Sequence, residues 1–387
     1  MLRVAVKRAF ELLYVIYVAI TLWHGYTNPI HSWDTLPYTA IVMSYEQDDL
    51  TVVHDRAYEA VRQAVGDRTF GEYTQKNRFR RTMAEDPIAF ARQFPFYTIK
   101  PLFLASTYAL HKLGFAIPQA MIMLSLLSVA GIALALFIWL GKYLKEPQRS
   151  LFSVLVFTGA GANWLAGLVK PDALSAVLLL WAMFFLIEKN SILIYAALAL
   201  LSIAARPDNI ILVGISFAAL RFMVPRRLTW IQFLTVVSLA AATYLAIQKV
   251  AGGYGWATTV GYYFGGGTEN HPAIVQGTIT LLDYIKIRYW DFTESLSTLE
   301  LFYMVMFLFL ASLTLAFGKR TSGVKEIYRN MVGALVIAML ARYVLWPGLE
   351  IRFFIPYYLP IALLCLLLLR FDLSPNAGCI SRSSPKI

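Results

Sequence analysis

The sequence is poor in charge and in cysteine for its length. Of its 387 residues 15% are charged and 58% are hydrophobic, whereas soluble domains are about 25% charged and about 45–50% apolar. This deficit of charge excludes a soluble multidomain enzyme and a disordered chain. Two cysteines, Cys365 inside an apolar run and Cys379 in the tail, argue against a disulfide framework. We therefore expect an all-α polytopic membrane protein.

Several motifs of nucleotide and metal chemistry are also missing. The chain has no P-loop, no glycine fingerprint after a strand, and no His-x-x-x-His spacing among its five histidines. A nucleotide-driven pump is therefore unsupported. The net charge of +11 does not indicate a nucleic-acid partner, because basic residues of membrane proteins collect in cytoplasmic loops.

Long uncharged runs are what the sequence has instead. A hydrocarbon core about 30 Å thick needs about 20 helical residues, and the unbroken runs differ from the alternating strands of a β-barrel. The first run has no cleavage site after it, so we expect an uncleaved first span. About ten transmembrane helices are predicted, over 12–33, 113–141, 151–169, 173–187, 190–205, 209–220, 228–248, 301–318, 330–349 and 353–369.

The loop charges predict the orientation and the division of the chain. Short loops on one side hold several cations, such as Lys142, Lys145 and Arg149, whereas short loops on the other side hold single cations next to acids. The positive-inside rule therefore places the first side and both termini in the cytoplasm, with a bacterial inner (plasma) membrane as the expected location. The chain is expected to begin with a transmembrane module over 1–250, which includes an outer loop at 25–95 and an interfacial helix at 98–112. Three parts follow it: an outer glycine- and aromatic-rich loop at 251–295, a three-helix part at 296–370 and a cytoplasmic tail at 371–387. The outer loop 251–295, with its tip at 262–271, is expected either to close over a ligand as a lid or to lie on lipid headgroups as an aromatic belt.

Asp34 is the candidate catalytic residue. It follows the first span and precedes a helix expected to begin at Thr35-Leu36-Pro37. The positive end of that helix favours the ionised carboxylate, which can accept a proton from a hydroxyl group. The alternative is a solvated carboxylate that only stabilises the helix end.

Two similar tripeptides supply candidate anion-binding cations. Lys170-Pro171-Asp172 and Arg206-Pro207-Asp208 each open an apolar span on the outer side. Proline and aspartate suit a helix start, but a cation does not, so it is either neutralised by its own aspartate or available to bind an anion. Arg342 and Arg352 add outer cations, and Arg342 is expected either to extend its side chain outward to the membrane surface or to pair with Glu350.

Asp48-Asp49 in the first outer loop resembles half of a divalent-metal site, although carboxylates in a polar loop are usually solvated. Metal dependence is therefore left open, and no other cofactor is implied.

The chain resembles the GT-C superfamily of integral-membrane glycosyltransferases, which includes the protein O-mannosyltransferases and the aminoarabinose transferase of lipid A. Asp34 matches the acidic residue that follows the family's first span. The segment 95–102 is similar to the entry of its last interfacial helix, and Ala205-Arg206-Pro207-Asp208 and the segment 350–356 are similar to its outer helix starts.

The resemblance implies transfer of a sugar from a polyprenyl-phosphate donor to a hydroxyl of a glycan, lipid or protein acceptor on the outer membrane face. Asp34 is then the general base, and Lys170, Arg206 and Arg352 bind the donor phosphate, supported by Asp172, Asp208, Arg342 and Glu350. Two alternatives remain, a non-catalytic lipid-carrier binding protein or flippase, and a polysaccharide polymerase or ligase. The second is disfavoured because its late outer loop should be arginine-rich, whereas 251–295 holds only Lys286 and Arg288 as cations.

Overall fold

The computed structural model describes residues 2–223, 228–264, 279–317, 324–346 and 348–373. The regular structure in these ranges is helical, apart from one isolated parallel bridge between Ile30 and Leu168. A 3₁₀ helix, Ala162–Gly167, lies between α9 and α10. The helices are α1 Leu2–Thr27, α2 Thr35–Met43, α3 Leu50–Gln75, α4 Arg78–Glu85, α5 Pro87–Ala91, α6 Pro95–Thr98, α7 Pro101–Lys112, α8 Ile117–Gly141, α9 Gln148–Gly159, α10 Asp172–Glu188, α11 Ile192–Ala205, α12 Asn209–Met223, α13 Trp230–Val250, α14 Gly255–Phe264, α15 Leu281–Ser295, α16 Leu299–Phe317, α17 Val324–Leu345 and α18 Ile351–Leu373.

Helices α2 to α7 form a layer with its own apolar core beside one end of the bundle. Polar loop residues start these helices: Asp49 accepts hydrogen bonds from two backbone N–H groups of α3, and Asp86 does the same for α5. Val53, Ala57 and Val61 of α3 are buried and face this core. This layer holds Asp34 and its neighbours against the bundle.

Five helices are long and apolar enough to cross a membrane. They are Ile117–Gly141, Trp230–Val250, Leu299–Ala316, Glu326–Leu345 and Ile351–Leu369, and two shorter apolar helices are Ile192–Ala205 and Asn209–Met223. Exposed leucine, isoleucine and phenylalanine side chains cover the outer faces of α1, α13 and α16, as expected of surfaces that face lipid rather than water. An all-α architecture with several apolar helices of spanning length is thus present, whereas ten spans are not shown.

The predicted continuous span at 151–169 is wrong. Helix α9 ends at Gly159, and Gly161 has a φ of 76°, a left-handed conformation that terminates the helix before the 3₁₀ turn. The chain then passes through Leu168 into the turn before α10. This break brings Lys170 to the same end of the bundle as Asp34.

The bundle has two chemically different ends, which α10 connects. Asp172 begins this helix and Glu188 ends it, about 25 Å apart at the usual rise per residue. Glu188 lies in a group with Trp139, Lys142, Tyr143 and Tyr328. Asp172 lies in a group of arginines near Asp34, and this second end carries the candidate site.

Candidate functional site

Asp34 is bound on both of its carboxylate oxygens. Lys170 Nζ lies 2.9 Å from Oδ2, and the Tyr97 hydroxyl donates to Oδ1 at 3.0 Å. Asp34 occupies the N-cap position of α2 without a side-chain cap bond, so its carboxylate faces the site instead of the helix backbone. Each carboxylate oxygen offers about two acceptor positions, which leaves room for a further hydrogen bond from a ligand.

The charges around Asp34 keep it ionised. Burial by itself raises the pKa of this carboxyl, but the positive charges of Lys170, Arg352 and Lys100 outweigh burial and hold the pKa well below its usual range. The expectation of an ionised Asp34 agrees with this result, although the cause is a set of side-chain cations, with no helix-cap bond. Tyr97 stays protonated, because burial and the charge of Asp34 raise its pKa.

Asp172 joins two arginines from different helices. Arg206 donates from Nη1 to Oδ1 of Asp172, and Arg352 Nη1 lies 3.6 Å from its Oδ2. The Asp172 side chain is 1% exposed, so both contacts occur away from bulk water. Arg352 also donates to Glu350, which is exposed. The structure thus brings together Arg206, Arg352, Asp172 and Glu350.

Asp208 extends the same network to a third arginine. Arg206 reaches it through Nε at 3.1 Å and Nη2 at 2.9 Å, and Arg342 Nε donates to it at 3.0 Å. Both alternatives expected of Arg342, an outward extension to the membrane surface and a pair with Glu350, are wrong. Arg342 is 1% exposed, because it turns into the bundle toward Asp208 and the Trp346 carbonyl.

Lys100 is a site residue that the sequence analysis missed. Its Nζ donates to the Phe96 carbonyl at 3.2 Å and lies 5.2 and 5.0 Å from the ring centroids of Tyr38 and Tyr97. In the described part of the chain no carboxylate lies within ion-pair distance of this ammonium group. Burial lowers the pKa of Lys100, and the charge of Asp34 opposes part of that change. The resulting pKa is about 8, lowered from 10.5.

A signal for Lys100 was present in the sequence. Lys100-Pro101 repeats the cation-proline step of Lys170-Pro171 and Arg206-Pro207, and each step immediately precedes or begins a helix. The missing aspartate after Pro101 hid the similarity.

The site carries one positive charge more than its acids neutralise. The described cations here are Lys100, Lys170, Arg206, Arg342 and Arg352, and the described acids are Asp34, Asp172, Asp208 and Glu350. Lysine and arginine donors that converge in a partly buried place are typical of phosphate binding. The arrangement can therefore accept a singly charged phosphate ester next to an ionised carboxylate.

The remaining sequence candidates lie outside this network. Asp49 is the N-cap of α3, accepting from Thr51 N at 2.8 Å and from Val52 N at 3.3 Å, and Asp48 is exposed. Within the described ranges no group of three or more histidine, cysteine, aspartate or glutamate side chains could hold a metal ion.

The segment 251–264, which includes α14, packs on the layer that holds Asp34. Tyr254 donates to the Arg92 carbonyl at 2.8 Å, and Gln93 donates to the Tyr262 hydroxyl at 3.1 Å. Phe96 stacks on Tyr262 with ring centroids 5.1 Å apart. Residues 265–271 of the expected tip lie outside the described residues, and the lid and belt hypotheses both remain predictions.

Comparison of this chain with protein-family models, with curated proteins and with solved structures finds no match.

Proposed function

We propose that this protein is a membrane glycosyltransferase that moves a sugar from a polyprenyl-phosphate carrier to a hydroxyl acceptor at the outer membrane face. The observation that supports it is an ionised Asp34 in contact with Lys170, within one partly buried group of excess positive charge, at one end of an apolar helix bundle. A GT-C-like enzyme needs this combination, namely a general base next to a phosphate-binding site within a membrane-embedded protein.

The proposed roles follow from the contacts. Asp34 accepts the proton of the acceptor hydroxyl, whose oxygen attacks the anomeric carbon as the bond to phosphate breaks. Lys100, Lys170, Arg206 and Arg352 stabilise the departing phosphate, which keeps the electron pair. Asp172, Asp208, Arg342 and Glu350 hold the arginines in place.

The ion pair between Lys170 and Asp34 also has a place in this mechanism. A carboxylate with a strongly lowered pKa is a weak base. A donor phosphate competes with Asp34 for the Lys170 ammonium group, and loss of that contact raises the pKa of the carboxyl. Donor binding would therefore activate the base at the moment it is needed.

The experiment is a transfer assay with protein in phosphatidylcholine nanodiscs. Polyprenyl-phosphate sugars and acceptors come from a bacterial membrane extract, and mass spectrometry quantifies released polyprenyl phosphate. We expect Asp34→Asn to reduce release by about 10²–10⁴-fold while binding of undecaprenyl phosphate persists. Asp48→Asn, an exposed aspartate in the same outer region, is the matched control and should stay active.

Other outcomes favour the alternatives. Binding of undecaprenyl phosphate by wild-type protein without any transfer would support the lipid-carrier protein or flippase. The polymerase or ligase alternative lacks a free arginine in its loop, since Arg288 binds Asp291 at 2.9 Å and lies over the Tyr343 ring.

The proposed orientation places both termini in the cytoplasm of a bacterial inner membrane. Asp67 is exposed in the outer layer, and Lys189 is exposed at the opposite end of the bundle. In a variant without Cys365 and Cys379, Asp67→Cys should react with an impermeant maleimide on intact cells, and Lys189→Cys should not. The reverse labelling would refute the orientation.

A further inference from the structure

The ring of Phe353 lies among three guanidinium groups. Its centroid is 4.3 Å from the guanidinium carbon of Arg352, 4.5 Å from that of Arg206 and 5.0 Å from that of Arg342. These arginines come from three segments, namely the start of α18, the turn before α12 and the end of α17. Phe353 is the residue through which all three segments meet beside the cation network.

Arginines brought this close together repel one another. Asp172 and Asp208 offset part of the repulsion, because Arg206 binds both and Arg352 and Arg342 each bind one. An aromatic face is negative by its quadrupole and attracts a cation held over it. A leucine of similar bulk would fill the space without that attraction.

The neighbouring phenylalanine has a different environment. Phe354 is fully buried and packs against Tyr357 and Tyr358 in the bundle core; of the three arginines it lies near Arg342, at 5.6 Å from the guanidinium carbon. Phe353 is only partly buried and faces the charged end. Phe353 also packs against the edge of that core, but its ring lies beside Arg206 and Arg352 as well, two contacts that core packing does not require.

We propose that Phe353 is a positioning residue of the phosphate site, whose ring holds Arg206 and Arg352 against opposite oxygens of Asp172. An arginine has five N–H donors, and the contacts of Arg352 to Glu350 and Asp172 use only part of them. The ring thereby keeps the remaining donors of both arginines available to one anion. The inference rests on the proposed function for the identity of that anion.

The binding test uses undecaprenyl phosphate and protein in phosphatidylcholine nanodiscs, with native mass spectrometry as the measurement. Phe353→Leu should weaken binding by about 3- to 30-fold, the range expected for one or two partly desolvated cation–π contacts. Phe353→Trp should restore it. In an Arg206→Gln, Arg352→Gln background, Phe353→Leu should have no further effect on binding, because the two arginines that the ring positions for the anion are gone, although Arg342 remains beside it. Phe309→Leu on the exposed face of α16 is the matched control.

A second measurement does not depend on any lipid. Phenylglyoxal modifies accessible arginines, and peptide mass spectrometry gives the rate at Arg206 and Arg352 separately. Replacing Phe353 by pentafluorophenylalanine through nonsense suppression keeps the shape and reverses the quadrupole, so both arginines should react several-fold faster than in wild-type protein. Because this replacement keeps the shape of the side chain, we expect the fold to persist even where Phe353→Leu destabilises the protein.

The outcomes separate the two proposals. If wild-type protein does not bind undecaprenyl phosphate, the proposed function fails, and the arginine modification rates alone decide the role of Phe353. Unchanged modification rates in the pentafluoro variant would overturn the positioning role. The positioning role would also be overturned if Phe353→Trp did not recover binding. The same holds if Phe353→Leu weakened binding equally with and without Arg206 and Arg352.

Discussion

Lys170 binds Asp34, 136 positions away in the chain, although Asp172 is two residues from it; its Nζ lies 2.9 Å from the Asp34 Oδ2. The contact ties the loop after α1 to the turn before α10. Asp172 is left to bind Arg206 and Arg352. The acids and cations of the two similar tripeptides therefore form ion pairs with residues from other segments. A substitution at one of these residues affects the ion pairs of the others.

Replacing Lys170 should change the pH dependence of transfer. Without its ammonium group, burial raises the pKa of Asp34 with less opposition. The carboxylate then protonates at a higher pH. The acid limb of the pH–rate profile of Lys170→Met should therefore shift to higher pH. Lys112→Met removes an exposed lysine paired with Glu46 and should leave the limb in place. An acid limb that does not move in Lys170→Met would show that this ion pair does not govern Asp34.

Lys100, which has no carboxylate within ion-pair distance among the described residues, should make ligand binding weaker at alkaline pH. The pKa of Lys100 is about 8, so the group is charged below that pH and loses its charge as the pH rises through it. The affinity for undecaprenyl phosphate should therefore weaken several-fold between pH 7 and pH 9, since the phosphate itself titrates near pH 6. Binding titrations in nanodiscs at each pH measure this effect.

The control for that experiment is Lys100→Gln. Its affinity should already be lower at pH 7 and should change little up to pH 9. A wild-type profile that is flat over this range, or a Lys100→Gln profile that retains the alkaline loss, would exclude Lys100 from the phosphate site.

Sequence patterns predicted the class of the fold and much of the candidate site, but they did not predict which acid each cation binds. Apolar runs predicted helices, and cations beside prolines predicted helix starts on one side, because both signals are local. Which aspartate Lys170 binds depends on the packing of α1 against the 3₁₀ helix, which no local pattern encodes. Arg342 shows the same limit: its nearest acid in sequence was Glu350, whereas the fold places Asp208 against it.

The opposite end of the bundle contains a carboxylate that should matter for stability. Glu188, 3% exposed, accepts from Trp139 Nε1 at 2.8 Å and from the Tyr143 hydroxyl at 2.7 Å, and it pairs with Lys142. Glu188→Gln leaves Lys142 without its partner and should lower the free energy of unfolding by about 2–4 kcal/mol. Chemical unfolding in detergent measures this loss. Glu85→Gln at an exposed position should have no effect, and equal stability of the two variants would contradict the role of Glu188.

A single glycine should control how the first helix approaches the site. A Cβ on Gly25 would lie 2.7 Å from the backbone carbon of Ala166, closer than such atoms approach, so α1 and the 3₁₀ helix would have to separate. Ile30 donates to the Gly167 carbonyl just beyond this contact, and Asp34 follows four residues later. Gly25→Ala should therefore cost about 1–3 kcal/mol of unfolding free energy and weaken transfer by displacing Asp34 from Lys170.

Gly71→Ala is the matched control, because its Cβ would meet open space on α3 and alanine favours a helix by up to about 1 kcal/mol. If Gly25→Ala matched Gly71→Ala in both unfolding and transfer, the close approach of α1 would not be what places Asp34.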